Sequence, residues 1–138
     1  MSAVFDFDVL IVGSGFGGSV SALRLAERGL KVAVLEQGRR VTESDLERAG
    51  KDVRALVWAP ALGRRGVLAQ DVYRHVGVVR GIGVGGGSLV YAAVLLEPGE
   101  RFYRDPAWSA LSTDWKAELA PYYATAKRML GVAVNPYR

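Results

Sequence analysis

Cysteine is absent from the 138 residues and histidine occurs once, at His75. No disulfide framework, thiolate ligand or thiol redox chemistry is therefore available, and one imidazole does not predict a metal centre. Long apolar runs are missing as well: no segment approaches the roughly 18 apolar residues of a membrane span, so no transmembrane segment is expected. The start lacks a basic n-region and a twin-arginine pair, so its apolar run reads as a strand and not a signal peptide, which makes the cytoplasm the expected compartment. A strong excess of one charge is also lacking. Basic residues number 18 against 14 acidic ones, a net +4, and the arginines come in scattered pairs, not a block. Nucleic acid is not the partner such a pattern predicts.

What is present is a normal globular balance, half hydrophobic and under a quarter charged, which argues against disorder. The length suits one domain with a real core and is too short for a full dinucleotide-binding enzyme.

The chain is organised around Asp8-Val9-Leu10-Ile11-Val12-Gly13-Ser14-Gly15-Phe16-Gly17-Gly18. Val9 to Val12 is a short apolar run that suits a strand buried on both faces of a parallel sheet. Gly13, Gly15 and Gly18 stand in G-x-G-x-x-G spacing, which a dinucleotide needs for three reasons: a tight turn out of the strand, close approach of a pyrophosphate, and close packing of helix on strand. Val20, Leu23, Leu25 and Leu30 then recur at helical spacing, and Gly29 falls where a left-handed cap ends the helix. The N-terminus of that helix favours an anion through its unpaired N–H groups and dipole. Residues 30–35 read as a second strand ending in Glu36, which lies 18 residues beyond Gly18, close to the roughly 20 expected of the acid that takes the ribose hydroxyls.

Gly38 permits a turn near the adenosine end of such a ligand, and Arg39 and Arg40 could face a phosphate or water. A carboxylate at Glu36 argues against the extra phosphate of NADP. Ser44 and Glu47 have capping-box spacing, and Leu46, Val53, Leu56 and Val57 read as one helical core stripe ended by Pro60 and Gly63. Arg64-Arg65-Gly66 reads as an exposed turn, and residues 71–79 read as a strand containing His75. That histidine has no partner pattern around it and reads as structural, not catalytic.

A second glycine cluster follows, Gly81-Ile82-Gly83-Val84-Gly85-Gly86-Gly87-Ser88. Clustered glycine costs chain entropy, and backbone lying against a planar ring or a phosphate would account for it. The apolar run 88–96 that continues it is expected to be buried. Towards the end, Thr113 or Asp114 caps a helix through Trp115 and Leu119. Pro121 is expected to break that helix and begin another, ending at Gly131. The aromatic residues of this segment, Phe102, Trp108, Trp115, Tyr122 and Tyr123, read as core or interface.

Taken together, Val12-Gly13-Ser14-Gly15-Phe16-Gly17-Gly18-Ser19-Val20, Glu36-Gln37-Gly38-Arg39 and Gly83-Val84-Gly85-Gly86-Gly87-Ser88-Leu89-Val90 resemble the N-terminal FAD-binding part of the glucose–methanol–choline oxidoreductases, and most of all their cholesterol oxidase-like branch. The resemblance runs through Pro106-Ala107-Trp108, Leu119-Ala120-Pro121-Tyr122-Tyr123 and Met129-Leu130-Gly131-Val132. It implies a Rossmann-like α/β fold, incomplete because later strands and a substrate domain are absent, with residues 1–138 as one FAD-binding domain and 100–138 as a helical segment. It also implies FAD as cofactor. Gly13, Ser14, Gly15, Phe16, Gly17 and Gly18 would hold the diphosphate, and Glu36 with Gly38 and Arg39 the adenosine end. Gly83, Gly86, Gly87 and Ser88 would run under the ribityl and isoalloxazine part. Tyr91 completes the candidate set, although this chain reads Tyr91-Ala92-Ala93 where the branch carries an asparagine and glycines.

The family acts on an alcohol or sterol CH–OH group, with hydride passing to the flavin. Its catalytic histidine and a second polar residue come from near the C-terminus of a much longer chain, so no catalytic residue is assigned here and His75 does not match. The expectation is therefore a fragment or split subunit that binds FAD, with a second chain supplying the substrate domain. A nicotinamide-dependent dehydrogenase, a non-catalytic cofactor-binding module and a non-functional remnant stand as alternatives.

Overall fold

The computed structural model describes residues 5–111 and 114–136, which form two compact units dividing between Ala93 and Val94.

The first unit begins with β1 (Val9–Val12), α1 (Phe16–Ala26) and β2 (Val32–Leu35), and β1 pairs with β2 in parallel, Val9 opposite Val32 and Val12 opposite Leu35. A parallel pair requires a crossover, and α1 supplies it. Gly29 ends the crossover at φ +83, its N–H donating to the Ala26 carbonyl while the Leu30 N–H reaches back to Leu25. Neighbours across a parallel pair share a face, so Val9, Ile11, Val32 and Val34 lie on one side of the two strands. The opposite side carries Leu10, Val12 and Leu35, all exposed, Val12 at 83%. This corrects the expectation of a strand buried on both faces: β1 and β2 form a two-stranded sheet, and the face turned away from Val9 and Ile11 is open.

Next come α2 (Glu43–Lys51) and α3 (Val53–Leu56). The capping box of α2 uses Thr42 and Asp45, not Ser44 and Glu47: the Thr42 hydroxyl accepts from the Asp45 N–H, and the Asp45 carboxylate accepts from the Thr42 N–H. The single stripe predicted from Leu46 to Val57 is interrupted at Asp52, whose extended backbone ends α2 and whose carboxylate caps α3. Leu46 and Val53 are exposed, and Ala49 is the buried residue of α2.

Arg64 and Arg65 do not form a turn. They are β4 (Arg64–Arg65), antiparallel to β3 (Trp58–Ala59), the two joined by a 3₁₀ turn at Pro60–Leu62 and by Gly63 at φ +67. Likewise 71–79 is not one strand. β5 (Leu68–Val72) and β6 (Gly77–Gly81) form an antiparallel hairpin, and His75 sits in its exposed turn, where the Tyr73 N–H donates to the Val76 carbonyl. Val67, Ala69 and Ile82 are the most buried apolar residues, tied together by the Ile82 N–H bond to Val67. The core of this unit therefore lies under the base of the second hairpin.

The apolar run 88–96 is not buried as expected. Val90, Tyr91, Val94 and Leu96 are exposed, because after the 3₁₀ turn Gly86–Leu89 the chain takes no helix or strand that could give the run an inner face. Ala92 and Ala93 adopt left-handed backbone there, at φ +59 and +56.

The second unit is helical: α4 (Glu100–Tyr103), α5 (Pro106–Ser109) and α6 (Trp115–Leu130). Asp105 caps α5 with Pro106 at its first position, and Asp114 caps α6 through the Ala117 N–H. Thr113, the other cap predicted, lies outside the described residues. Pro121 does not break α6, which runs through it to Gly131 at φ +63. Pro121 is the seventh of the sixteen residues of α6, so it removes one interior donor while the turns on either side continue the ladder. Tyr103, Phe102, Trp108 and Trp115 meet in turn, edge to face or tilted, with ring centroids 5.0–6.2 Å apart, and the Trp115 indole N–H donates to the Trp108 carbonyl. Tyr122 is exposed. Among the described residues no helix is long and apolar enough to cross a membrane.

Candidate functional site

Three segments of the first unit meet at Ser14, a buried polar residue. Its hydroxyl donates to Glu36 Oε2 at 2.7 Å, its N–H donates to the same oxygen at 2.9 Å, and the hydroxyl accepts the Gly85 N–H at 3.0 Å. The other Glu36 oxygen accepts the Gly38 N–H at 2.9 Å, and Ser19 donates its hydroxyl to the Ser14 carbonyl at 2.6 Å. One serine thus joins the turn after β1, the end of β2 and the second glycine cluster.

Glu36 is held ionised by this arrangement. Partial burial pushes its pKa up, but the Gly38 N–H, the Ser14 hydroxyl and N–H, and the Gln37 N–H outweigh it and leave the carboxyl below its ordinary value.

The glycines divide by what each would meet. Gly13 has φ +91, a backbone that side chains rarely adopt. A Cβ on Gly18 would stand 2.0 Å from the Gly13 carbonyl oxygen, so that helix-on-strand contact excludes any side chain. At Gly15 and Gly17 a Cβ would meet nothing within 4 Å. Gly13 thus serves the tight turn and Gly18 the packing of helix on strand, as expected of each, while Gly15, expected to leave room for a pyrophosphate, borders open space.

That space lies at the head of α1, which has no side-chain cap. The N–H groups of Phe16, Gly17 and Gly18 have no hydrogen-bond acceptor among the described residues. Orphan donors and the positive end of an 11-residue helix dipole converge on an open glycine cradle, which is the arrangement a diphosphate requires.

The second cluster packs tightly. Gly38 abuts Gly83, where a Cβ would come within 2.3 Å of the Gly83 nitrogen. The Arg39 carbonyl accepts the Val84 N–H at 3.1 Å. Gly86 has φ +55 and lies against Gly15, and Gly87 rests on the Phe16 ring. Phe16 meets Tyr91 edge to face at 5.4 Å. Ser88 turns its hydroxyl to the Gly85 carbonyl and closes the 3₁₀ turn. The Arg39 guanidinium pairs with Asp45 at 2.5 Å and holds that carboxyl well below the usual carboxylate range, helped by the Thr42 N–H and hydroxyl.

All fourteen predicted site residues thus fall in the first unit, and the bonds and contacts above link the two glycine turns through Ser14, Gly38 and Phe16. Two contributions escape sequence reasoning, the bond from the Gly85 N–H to Ser14 and the Ser19 hydroxyl. Nothing in the local pattern pairs Gly85 with Ser14, 71 positions away.

Comparison with known proteins agrees with this geometry. The FAD binding domain family matches residues 8–53, the stretch that carries β1, α1, β2 and Glu36. The cholesterol oxidase of Mycobacterium tuberculosis is 52% identical over 131 residues, covering 95% of this chain and 22% of that protein. Long-chain-alcohol oxidase FAO4B of Arabidopsis thaliana is 40% identical over 83 residues, 60% of this chain and 10% of that one. An uncharacterized GMC-type oxidoreductase of Sinorhizobium fredii is 28% identical over 139 residues, 95% of this chain and 25% of that one. The chain thus spans between a tenth and a quarter of the length of these curated relatives. Its cofactor is FAD, its fold is a mixed helix and strand dinucleotide-binding fold, and it belongs to the cholesterol oxidase-like glucose–methanol–choline oxidoreductases as their N-terminal FAD-binding part.

Proposed function

We propose that this chain is the flavin-holding portion of an oxidoreductase that oxidises a CH–OH group of an alcohol or sterol. The observation that carries the reading is the open cradle at Gly15 and Gly17 facing the uncapped head of α1. In this reading the arrangement is Rossmann-like. Gly13, Ser14, Gly15, Phe16, Gly17 and Gly18 wrap the diphosphate, and Glu36 takes the adenosine ribose beside Gly38 and Arg39. A carboxylate offers about four lone-pair positions, so Glu36 can accept ribose hydroxyls while keeping its bonds to Ser14 and Gly38. Gly83, Gly86, Gly87 and Ser88 form the floor for the ribityl chain and ring, with Tyr91 at its edge.

When bound, the flavin supplies the acceptor for the substrate hydride. This chain orients that acceptor, neutralises the diphosphate with main-chain donors, and keeps a carboxylate charged at the ribose. His75, in the exposed hairpin turn, takes no part, so by itself the chain binds FAD and does not turn over alcohols. A base supplied from outside these residues, in the same or a second chain, completes the site.

The test is an absorption spectrum of the purified chain after incubation with FAD and desalting. Retained flavin bands, lost on Gly15→Val, support the reading. A colourless product from a chain whose amides remain protected from hydrogen exchange overturns it for the chain alone.

A further inference from the structure

Away from the glycine cradle the first unit has a second concavity, a cleft of about 490 Å³ lined from α2, α3 and the β3–β4 hairpin. Its charged wall consists of Arg39, Arg48, Arg54, Arg64 and Arg65 against a single carboxylate, Asp45. That carboxylate is already committed to Arg39 and to the Thr42 N–H and hydroxyl. The guanidinium groups of Arg48, Arg54, Arg64 and Arg65 have no ion-pair partner among the described residues. Arg48 lies in the last turn of α2, where a cation complements the helix dipole, and that accounts for one of the four. Arg54 stands likewise in the last turn of the four-residue α3, while Arg64 and Arg65, on β4, have no helix terminus to complement.

We propose that this cleft binds a small phosphate-bearing anion, gripped by Arg48, Arg54, Arg64 and Arg65 at a site separate from the flavin cradle. Guanidinium forks match phosphate oxygens in bidentate pairs, and several of them around one concavity favour a multiply charged group over a single carboxylate. The volume falls in the range of small-ligand sites and not of a flat macromolecular footprint. Arg39 marks the border between the two sites: its carbonyl holds the second glycine cluster through Val84, while its guanidinium stays with Asp45 at the cleft.

The test is calorimetric titration of the chain, in excess FAD, with sodium pyrophosphate, alongside flotation on phosphatidylcholine vesicles with and without a phosphoinositide. Saturable uptake of pyrophosphate is expected that weakens with salt and falls by at least about tenfold in an R54Q/R65Q variant. An R54K/R65K variant, which keeps the charge and loses the fork, should fall less, and both should melt with the parent. Phosphoinositide vesicles that hold the chain more tightly than free pyrophosphate, with the same dependence on the variants, identify a headgroup as the source of the phosphate and also support the site. Absence of saturable uptake, uptake displaced by FAD, uptake equal in all variants, or binding of duplex DNA that pyrophosphate cannot displace would each overturn it.

Discussion

The two glycine turns of the first unit look alike as strings and differ in space. In the turn after β1, Gly13 answers to backbone conformation, Gly18 to contact with the strand, and Gly15 and Gly17 to nothing inside the chain. In the second cluster Gly83, Gly85 and Gly86 all have positive φ, and a Cβ on any of them would crowd a neighbour. One turn is left open and the other is filled. Glycine that the fold itself requires is a packing feature, whereas glycine that borders empty space at a helix head points to a ligand.

Substitutions can break this contrast. The largest effect is expected at Gly18→Ala and Gly38→Ala, where the new Cβ would meet main-chain atoms that cannot give. Each should cost about 3 kcal/mol or prevent folding, read from urea denaturation. Glu36→Gln comes next, at about 2 kcal/mol, because one amide oxygen cannot replace two carboxylate oxygens and the amide group turns donors on donors. The same residue sets a pH dependence. Its folded pKa lies below the unfolded one, so its contribution is complete above the unfolded value and is lost as pH falls through the folded value. An acid titration of stability should therefore be shallower in Glu36→Gln than in the parent, and equal slopes would contradict the Ser14–Glu36 network.

Gly86→Ala should cost about 1–2 kcal/mol, from left-handed backbone and the Gly15 contact together. Ala92→Gly and Ala93→Gly test the opposite sign. Removing a left-handed alanine relieves about 1 kcal/mol of strain, and the greater freedom of glycine in the unfolded chain takes back about half of it. A small rise in melting temperature is expected for each. The smallest effect on stability belongs to Gly15→Ala, within about 0.5 kcal/mol of the parent, yet FAD retention should drop by about tenfold or more. If Gly15→Ala instead unfolds the chain, the contrast between an open and a filled turn is wrong.

The first supersecondary unit was readable because its signals are local. An apolar run bounded by glycine, a 3.6-residue stripe and a left-handed stop at Gly29 each act within a few residues of themselves. The α2 cap slipped by two positions because Thr42 with Asp45 and Ser44 with Glu47 satisfy the same rule side by side, and only packing chose between them. The hairpin around His75 reads as one strand because Tyr73-Arg74-His75-Val76 contains none of the residues that usually mark a turn. Pro121 reads as a breaker, yet a single missing donor inside a 16-residue helix leaves most of the ladder intact.

By itself the sequence determined the strand, turn, helix and strand that build the glycine cradle, with Glu36 at its far edge, because spacing along the chain is all that such a unit needs. Tertiary structure alone decided that Gly85 donates to Ser14, that the face bearing Leu10 and Val12 stays open, and that arginines scattered in pairs line one cleft. Those outcomes depend on which distant backbones come within hydrogen-bond reach and which side chains share a wall, and no local period encodes either.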